Sequence, residues 1–352
     1  MTRQPKDSPR RGVAAWRGVA LLCVSLLGGT ALVSTQSAQA GEGQAEWPPR
    51  VHAPAAGTVE VLPVQGNVYM LVGAGANITV QIGDDGVLVV DTGGASMSEA
   101  VLAAIRRLST RPLRYIINTV EFEDHVGGNA AIADVGETIP FRAPDYAAGP
   151  QGALDVGKAS VIAYLTVFHR LAGAAGAAPR IPETGWPDNT FSIPQKRLYF
   201  NGEPVVILHR PGNTDGTSIV LFRKSDVVSA GDLLDLTGYP RIDLEAGGGI
   251  ERMVEALNGL IDVTVPAGNA SGGTLVVPGH GRLADHAEVV YYRDMMAIVR
   301  DRVQDMIRRG LTLEQVKAAR PTREYDARYG RETGPWTTER FVEAVYRSLS
   351  QS

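Results

Sequence analysis

Cysteine is almost missing from this chain: one residue, Cys23, in 352. That excludes an intrachain disulfide framework and any zinc knuckle built on thiolates. Histidine is scarce too, six in all, and aromatic residues make up only 6%. There is no excess of base. The formal net charge is -4, which leaves no electrostatic footprint for nucleic acid. What is abundant is ordinary for a folded domain, 44% hydrophobic and 20% charged residues, and this excludes a disordered chain, a collagen or a coiled coil. At roughly 150 residues per domain the length predicts two units or one large one.

Residues 1–40 read as a secretory leader. Arg3, Lys6, Arg10, Arg11 and Arg17 face a single acid, Asp7; an uncharged run follows from Gly18 to Val33, and Ala38-Gln39-Ala40 supplies the small-residue cleavage pattern. The apolar run is shorter than the roughly 20 residues of a membrane helix, so no stable span is expected after cleavage. The expected location is the periplasm or the medium. Cleavage near Ala40 removes five bases and one acid, leaving 29 bases against 37 acids, net -8, and no cysteine.

Residues 41–57 are rich in Pro, Gly and Ala and read as a flexible lead-in. Short strands are expected at Val59–Leu62, Val68–Val72, Ile78–Ile82 and Val87–Asp91, then a helix from Ser96 to Leu108 with Val101, Leu102, Ile105 and Leu108 on one face. A buried strand follows at Tyr115–Asn118. Residues 153–171 have helical spacing. Strands resume at Leu198–Phe200, Val205–His209, Ile219–Phe222, Val227–Ala230 and Thr274–Val277, and helices at Gly249–Leu260, Asp285–Arg309, Leu313–Ala319 and Thr337–Leu349. This order predicts an α/β fold, two sheets packed together with helices outside.

Four segments end predicted strands, where loops gather side chains. They are Val89-Val90-Asp91-Thr92-Gly93; Ile117-Asn118-Thr119-Val120-Glu121-Phe122-Glu123-Asp124-His125; Pro211-Gly212-Asn213-Thr214-Asp215-Gly216, with Ala230-Gly231-Asp232 after it; and Pro278-Gly279-His280-Gly281. By residue type alone, Asp124, His125, Asp232 and His280 are two imidazoles and two carboxylates, a ligand set suited to Zn²⁺ or Fe²⁺.

In this order and spacing, from about Val59 to Arg282, the segments resemble the metallo-β-lactamase fold superfamily. The resemblance implies an αββα sandwich of two mixed sheets with outer helices and a metal site at the sheet edge. It implies a domain over 58–284 and a C-terminal helical extension, 285–352, packed on it. The family's H-x-H-x-D-H motif is degenerate here: Val120 and Phe122 stand where two histidines would be, and Asn213 where a third would be. Those three hold the family's first metal. Asp124, His125 and His280 match ligands of the second, and Asp232 the carboxylate that bridges both.

Two functions follow from the resemblance. One is an exported hydrolase acting on a lactam, lactone or ester bond of a small molecule through a single metal-bound hydroxide. The other is a non-catalytic pseudoenzyme or small-molecule-binding protein. The cofactor expected is one Zn²⁺, ahead of Fe or Mn, or none in the second case. Asp124 is the candidate proton acceptor and Asn213 the candidate hydrogen-bond donor to the reacting carbonyl. Asp91 is expected to bond the backbone of the metal loop. Alternation puts Glu121 and Glu123 toward solvent. His209 is expected at the surface, and Tyr239–Asp243 as a polar loop, the alternative being a rim of the substrate mouth. Substrate and oligomeric state are not legible.

Overall fold

Strand Gly86–Val90 shows how the sequence builds the layers. Val87 and Val89 pack to one side against Val101, Ala104 and Ile105, while Leu88 and Val90 pack to the other against Val205, Ile207 and Val220. Both faces are covered, so the strand is a continuous apolar run. The same split recurs at 205–208: Val205 and Ile207 point inward, Val206 and Leu208 outward.

A computed structural model describes residues 54–138, 157–173, 178–268 and 272–350. The expected leader and most of the lead-in lie outside the described residues, as do residues 153–156 and part of the 171–180 tail. One seven-stranded sheet runs β1 (Glu60–Gln65), β2 (Val68–Val72), β3 (Ile78–Gly83), β4 (Gly86–Val90), β5 (Leu113–Ile117), β6 (Ser160–Tyr164) and β7 (Asn189–Phe191) in spatial order. It is antiparallel through β4 and parallel beyond it. The six-stranded sheet runs β13 (Ala284–Asp285), β12 (Leu275–His280), β11 (Val227–Asp235), β10 (Ser218–Phe222), β9 (Glu203–His209) and β8 (Gln195–Phe200).

Helices α1 (Ser98–Leu108), α2 (Glu123–Val126), α3 (Asn129–Asp134) and α4 (Leu165–Leu171) follow strands of the first sheet. Helices α5 (Ile250–Ile261), α6 (His286–Arg308), α7 (Leu313–Ala319), α8 (Asp326–Tyr329) and α9 (Thr338–Ser350) belong to the second half. The outer face of the second sheet shares one core with α5, α6, α7 and α9, through Leu208, Val276, Leu257, Met295, Val316 and Phe341. Each fully buried aliphatic or aromatic side chain of this kind contributes about 1.5–3 kcal/mol. Residues 47–352 cluster as one compact unit. The expected αββα sandwich is therefore what the chain forms, with the C-terminal helices built into its outer layer.

Two expectations are corrected. In the described part of the helical stretch expected over 153–171, residues 157–171, there is a strand: β6 lies between β5 and β7, and among these residues the helix is Leu165–Leu171. Val161, Ile162 and Ala163 are each buried in a different cluster, and a short run apolar on both faces carries no period that separates strand from helix. Strand β11 also continues five residues past Ala230. Its register with β12 shifts on both sides of Gly231, which has φ +50°. A Cβ there would collide with Thr119 Oγ1, so only glycine lets β11 lie this close to the metal loop.

Candidate metal centre

Four loops meet where β4, β5, β11 and β12 end. Short helix α2 presents Asp124 and His125, β11 presents Asp232, and β12 ends in His280. His125 is fully buried. Its Nδ1 lies 2.8 Å from Asp91 Oδ2 and its Nε2 2.9 Å from Asp232 Oδ1. His280 Nε2 lies 3.2 Å from Asp124 Oδ2 and 3.2 Å from Asp232 Oδ1. Ligand atoms of Asp124, His125 and His280 all fall within 4.8 Å of one another. The four residues singled out in the sequence are thus brought to one point.

These separations suit a small divalent cation. Arms of about 2.0–2.1 Å in a tetrahedron place neighbouring donor atoms about 3.3 Å apart. Asp91 accepts from His125 Nδ1–H, which leaves Nε2 to face the cluster. A carboxylate behind a ligating imidazole is the usual way to fix its ring and tautomer. The donor set therefore fits a small divalent cation.

The supports are backbone-deep. Asp91 ends β4 with φ 62°, a left-handed conformation uncommon for a non-glycine residue. There its Oδ1 accepts from Thr119 N at 2.8 Å and its Oδ2 from Thr119 Oγ1 at 2.6 Å, as the expected bond to the metal loop requires. Thr92 N donates to His125 O at 2.7 Å. Immediately before β3, buried Asn77 donates its backbone N–H to Gly279 O at 2.7 Å and its Nδ2 to Pro278 O and Gly281 O, pinning the turn that carries His280. Asn77 sits in no motif, and sequence reasoning passes it by.

The cluster polarises itself. Burial works against the charged imidazole of His280, but Asp232 and Asp124 overcome it and push its pKa up to about 10. His125 is likewise raised against burial, by Asp232 and Asp91. Asp232 falls far below the usual carboxylate range, burial being outweighed by the two histidines. Asp124 is lowered more modestly, mainly by its bond to His280 against the cost of burial. Asp235 moves the other way, raised by burial despite the nearby His280.

A cavity of about 180 Å³ opens on these groups, lined by Phe122, Asp124, Asp232, Asp235, His280 and a second set, Thr237, Tyr239, Arg241, Arg331 and Trp336. Tyr239 and Arg241, expected in a plain polar loop, face the site. Asp235 is three residues beyond Asp232, pairs in register with His280, and its Oδ1 accepts from Thr237 N and Oγ1. Arg331 and Trp336 come from the loop between α8 and α9, far outside the motif-bearing segments.

The remaining candidates lie elsewhere. Asn213 is fully buried, does not line the cavity, and donates Nδ2 to Arg241 O at 2.8 Å. Its Oδ1 has no hydrogen-bond partner among the described residues. Val120 is fully buried. Glu121 is not at the surface: it is 1% exposed, ion-paired with Arg170 at 2.9 Å and bonded by Thr214 Oγ1 at 3.1 Å. Alternation fails because residues 118–122 form an irregular turn rather than a strand. Burial raises its pKa although Arg170 opposes the shift. His209 is half-buried, stacked 3.6 Å from the Tyr164 ring, and donates Nε2–H to Asp215 O.

A family model described as the metallo-beta-lactamase superfamily matches residues 63–281. No curated protein matches the chain. Among solved structures, the stereoselective inverting sec-alkylsulfatase Pisa1 from Pseudomonas sp. is similar at 15% identity and a TM-score of 0.57, over 82% of this chain and 50% of that one. The DIM-1 metallo-beta-lactamase is similar at 16% identity and a TM-score of 0.47, over 68% of this chain and 97% of that one. The metallo-beta-lactamase from Pontibacter korlensis gives 16% and 0.48, over 68% and 99%. The chain thus spans half the length of the alkylsulfatase, and the likeness at these identities is one of fold.

Proposed function

The chain belongs to the metallo-beta-lactamase superfamily, and from that premise we propose that it is an exported hydrolase with a single metal centre at Asp124, His125, Asp232 and His280. The observation that carries this reading is the 2.9–3.2 Å convergence of His125, His280, Asp124 and Asp232, the last three of which line a cavity. The bond attacked is a lactam, lactone or ester of a small molecule. The alkylsulfatase likeness, being one of fold, does not choose among these. Among the described residues no helix is long and apolar enough to cross a membrane.

A divalent cation held by Asp124, His125, Asp232 and His280 would supply Lewis acidity and activate water near neutral pH. The rest is done by side chains. Asp91 fixes the His125 ring. Asp232, 2.9 Å from His125 Nε2 and 3.2 Å from His280 Nε2, stands between the two imidazoles. Asp124 has the most exposed side chain of the four, 42%, and would be the group placed to accept a proton from the attacking water. Phe122, Tyr239 and Trp336 keep one side of the cavity apolar. Asn213 serves the site at one remove, by holding the backbone of Arg241.

The test is turnover of a panel of chromogenic lactam, lactone and ester substrates by zinc-loaded mature chain. Activity should vanish on chelation, return with zinc, and be absent from His280→Gln. Turnover indifferent to both would remove the metal from the chemistry. A second reading, a binding protein without turnover, draws support from buried Val120 and Phe122 in place of imidazoles. It predicts ligand binding with no hydrolysis of any panel member.

A further inference from the structure

The cavity carries two arginines in different states. Arg331 is committed: its Nη2 donates to Thr237 O and Thr237 Oγ1. Arg241 is not. Its guanidinium lies 4.0 Å over the Phe122 ring, and its nearest acid, Asp243, is 3.7 Å away, beyond hydrogen-bond reach. No hydrogen bond to that guanidinium occurs among the described residues. A half-exposed planar cation, ion-paired with Asp243 at 3.7 Å but making no hydrogen bond through its fork among the described residues, lines the same cavity as Asp124, Asp232 and His280.

Its position is fixed from several directions. Asn213 Nδ2 donates to Arg241 O at 2.8 Å, and Asn213 O accepts from Asp243 N at 2.9 Å. Trp336 Nε1 donates to Pro240 O at 3.1 Å, and Tyr239 N to Tyr329 O at 3.2 Å. The Phe122 face supports the guanidinium itself, a cation–π arrangement. Phe122 and Asn213 are two of the three residues that stand where the resemblance would put histidines. Both now hold Arg241, one by the side chain and one by the backbone.

We propose that Arg241 is a substrate-binding residue that receives an oxyanion of the substrate, a carboxylate or similar group, with the attached apolar part lying against Trp336, the partly exposed aromatic ring of the lining. The cavity, about 180 Å³, is below the roughly 300 Å³ at which drug-sized sites begin, so the group it takes is small. The inference rests on the proposed hydrolase for its meaning, since it names the substrate class. Anion binding itself needs no metal, and that keeps the two separable.

The experiment titrates full mature chain with benzoate and with neutral benzamide by calorimetry, once chelator-treated and once zinc-loaded. The proteins are wild type, Arg241→Gln and Arg241→Ala, each checked for an unchanged thermal midpoint. Benzoate should bind the chelator-treated wild type saturably and more tightly than benzamide. Both variants should weaken benzoate about tenfold or more, the scale of a lost charge-assisted bond, and leave benzamide unchanged. Arg241→Gln keeps length and polarity, so a loss there reads the charge. Equal benzoate affinity in wild type and Arg241→Gln overturns the proposal, as does benzoate binding that appears only with zinc. Failure of zinc uptake with Arg241-dependent benzoate binding intact would sink the hydrolase reading and leave this one standing.

Discussion

Asp91 combines a left-handed backbone with three hydrogen bonds, one of them to the buried histidine. Asparagine tolerates that backbone and keeps an acceptor, so Asp91→Asn should fold. It removes the charge behind His125 and should lower zinc affinity about 10–100-fold, read by competition with a chelating dye. Unchanged affinity would mean that Asp91 only shapes the loop. His280 gives a pH signature. Its folded pKa, about 10 in the metal-free protein, lies above its ordinary 6.5. The stability it adds is therefore complete below pH 6.5 and is lost as pH rises toward 10. The thermal midpoint of chelator-treated protein should show a falling contribution across that window, absent from His280→Gln. An equal slope in both would assign it to other groups. At this scale the sequence was informative about which four side chains meet, because His125, His280, Asp124 and Asp232 all stand in strand-end motifs. It was silent on Asn77 and misleading on Glu121, whose burial depends on an arginine 49 residues away.

The ends of β11 and β12 do most of the positioning. Gly231 breaks the parallel register so that Asp232 and Asp235 both reach the cavity mouth. Beside them, the turn at 118–122 is locked to α4 by Glu121–Arg170, and Arg170 bonds Asp215 at 2.6 Å as well. Arg170→Met would leave a buried carboxyl without its cation, which costs about 3–5 kcal/mol near neutral pH. The loss should shrink in acid, because burial already raises the Glu121 pKa and protonation relieves the charge. Urea unfolding at two pH values checks this; a loss independent of pH would contradict it. Strands and helices with one wet face were legible from their period. Strands β6 and β7 were not: the first is apolar on both faces, and the second is three residues long.

On the scale of the whole molecule, the segment beyond the family match closes the site. Tyr239 stacks 4.6 Å from Phe341 of α9 and donates its hydroxyl to Thr322 O and Asp326 Oδ1, while Trp336 and Arg331 grip residues 237–240. Phe341 is fully buried in the core that α5, α6 and α9 share with the second sheet. Phe341→Ala should cost about 3–5 kcal/mol by denaturant unfolding while leaving zinc uptake intact, since none of the four ligands touches it. A loss under 1 kcal/mol would mean that α9 is an appendage. The sandwich could be read from motifs in order, but this wall could not: it joins residues about a hundred positions apart through a loop with no chemical signature. The most direct measurement is the zinc content of mature chain after equilibration with zinc and removal of excess. The single-centre account predicts close to one ion per chain, and close to none for His280→Gln. Near-zero zinc in the wild type, or two ions, would contradict it.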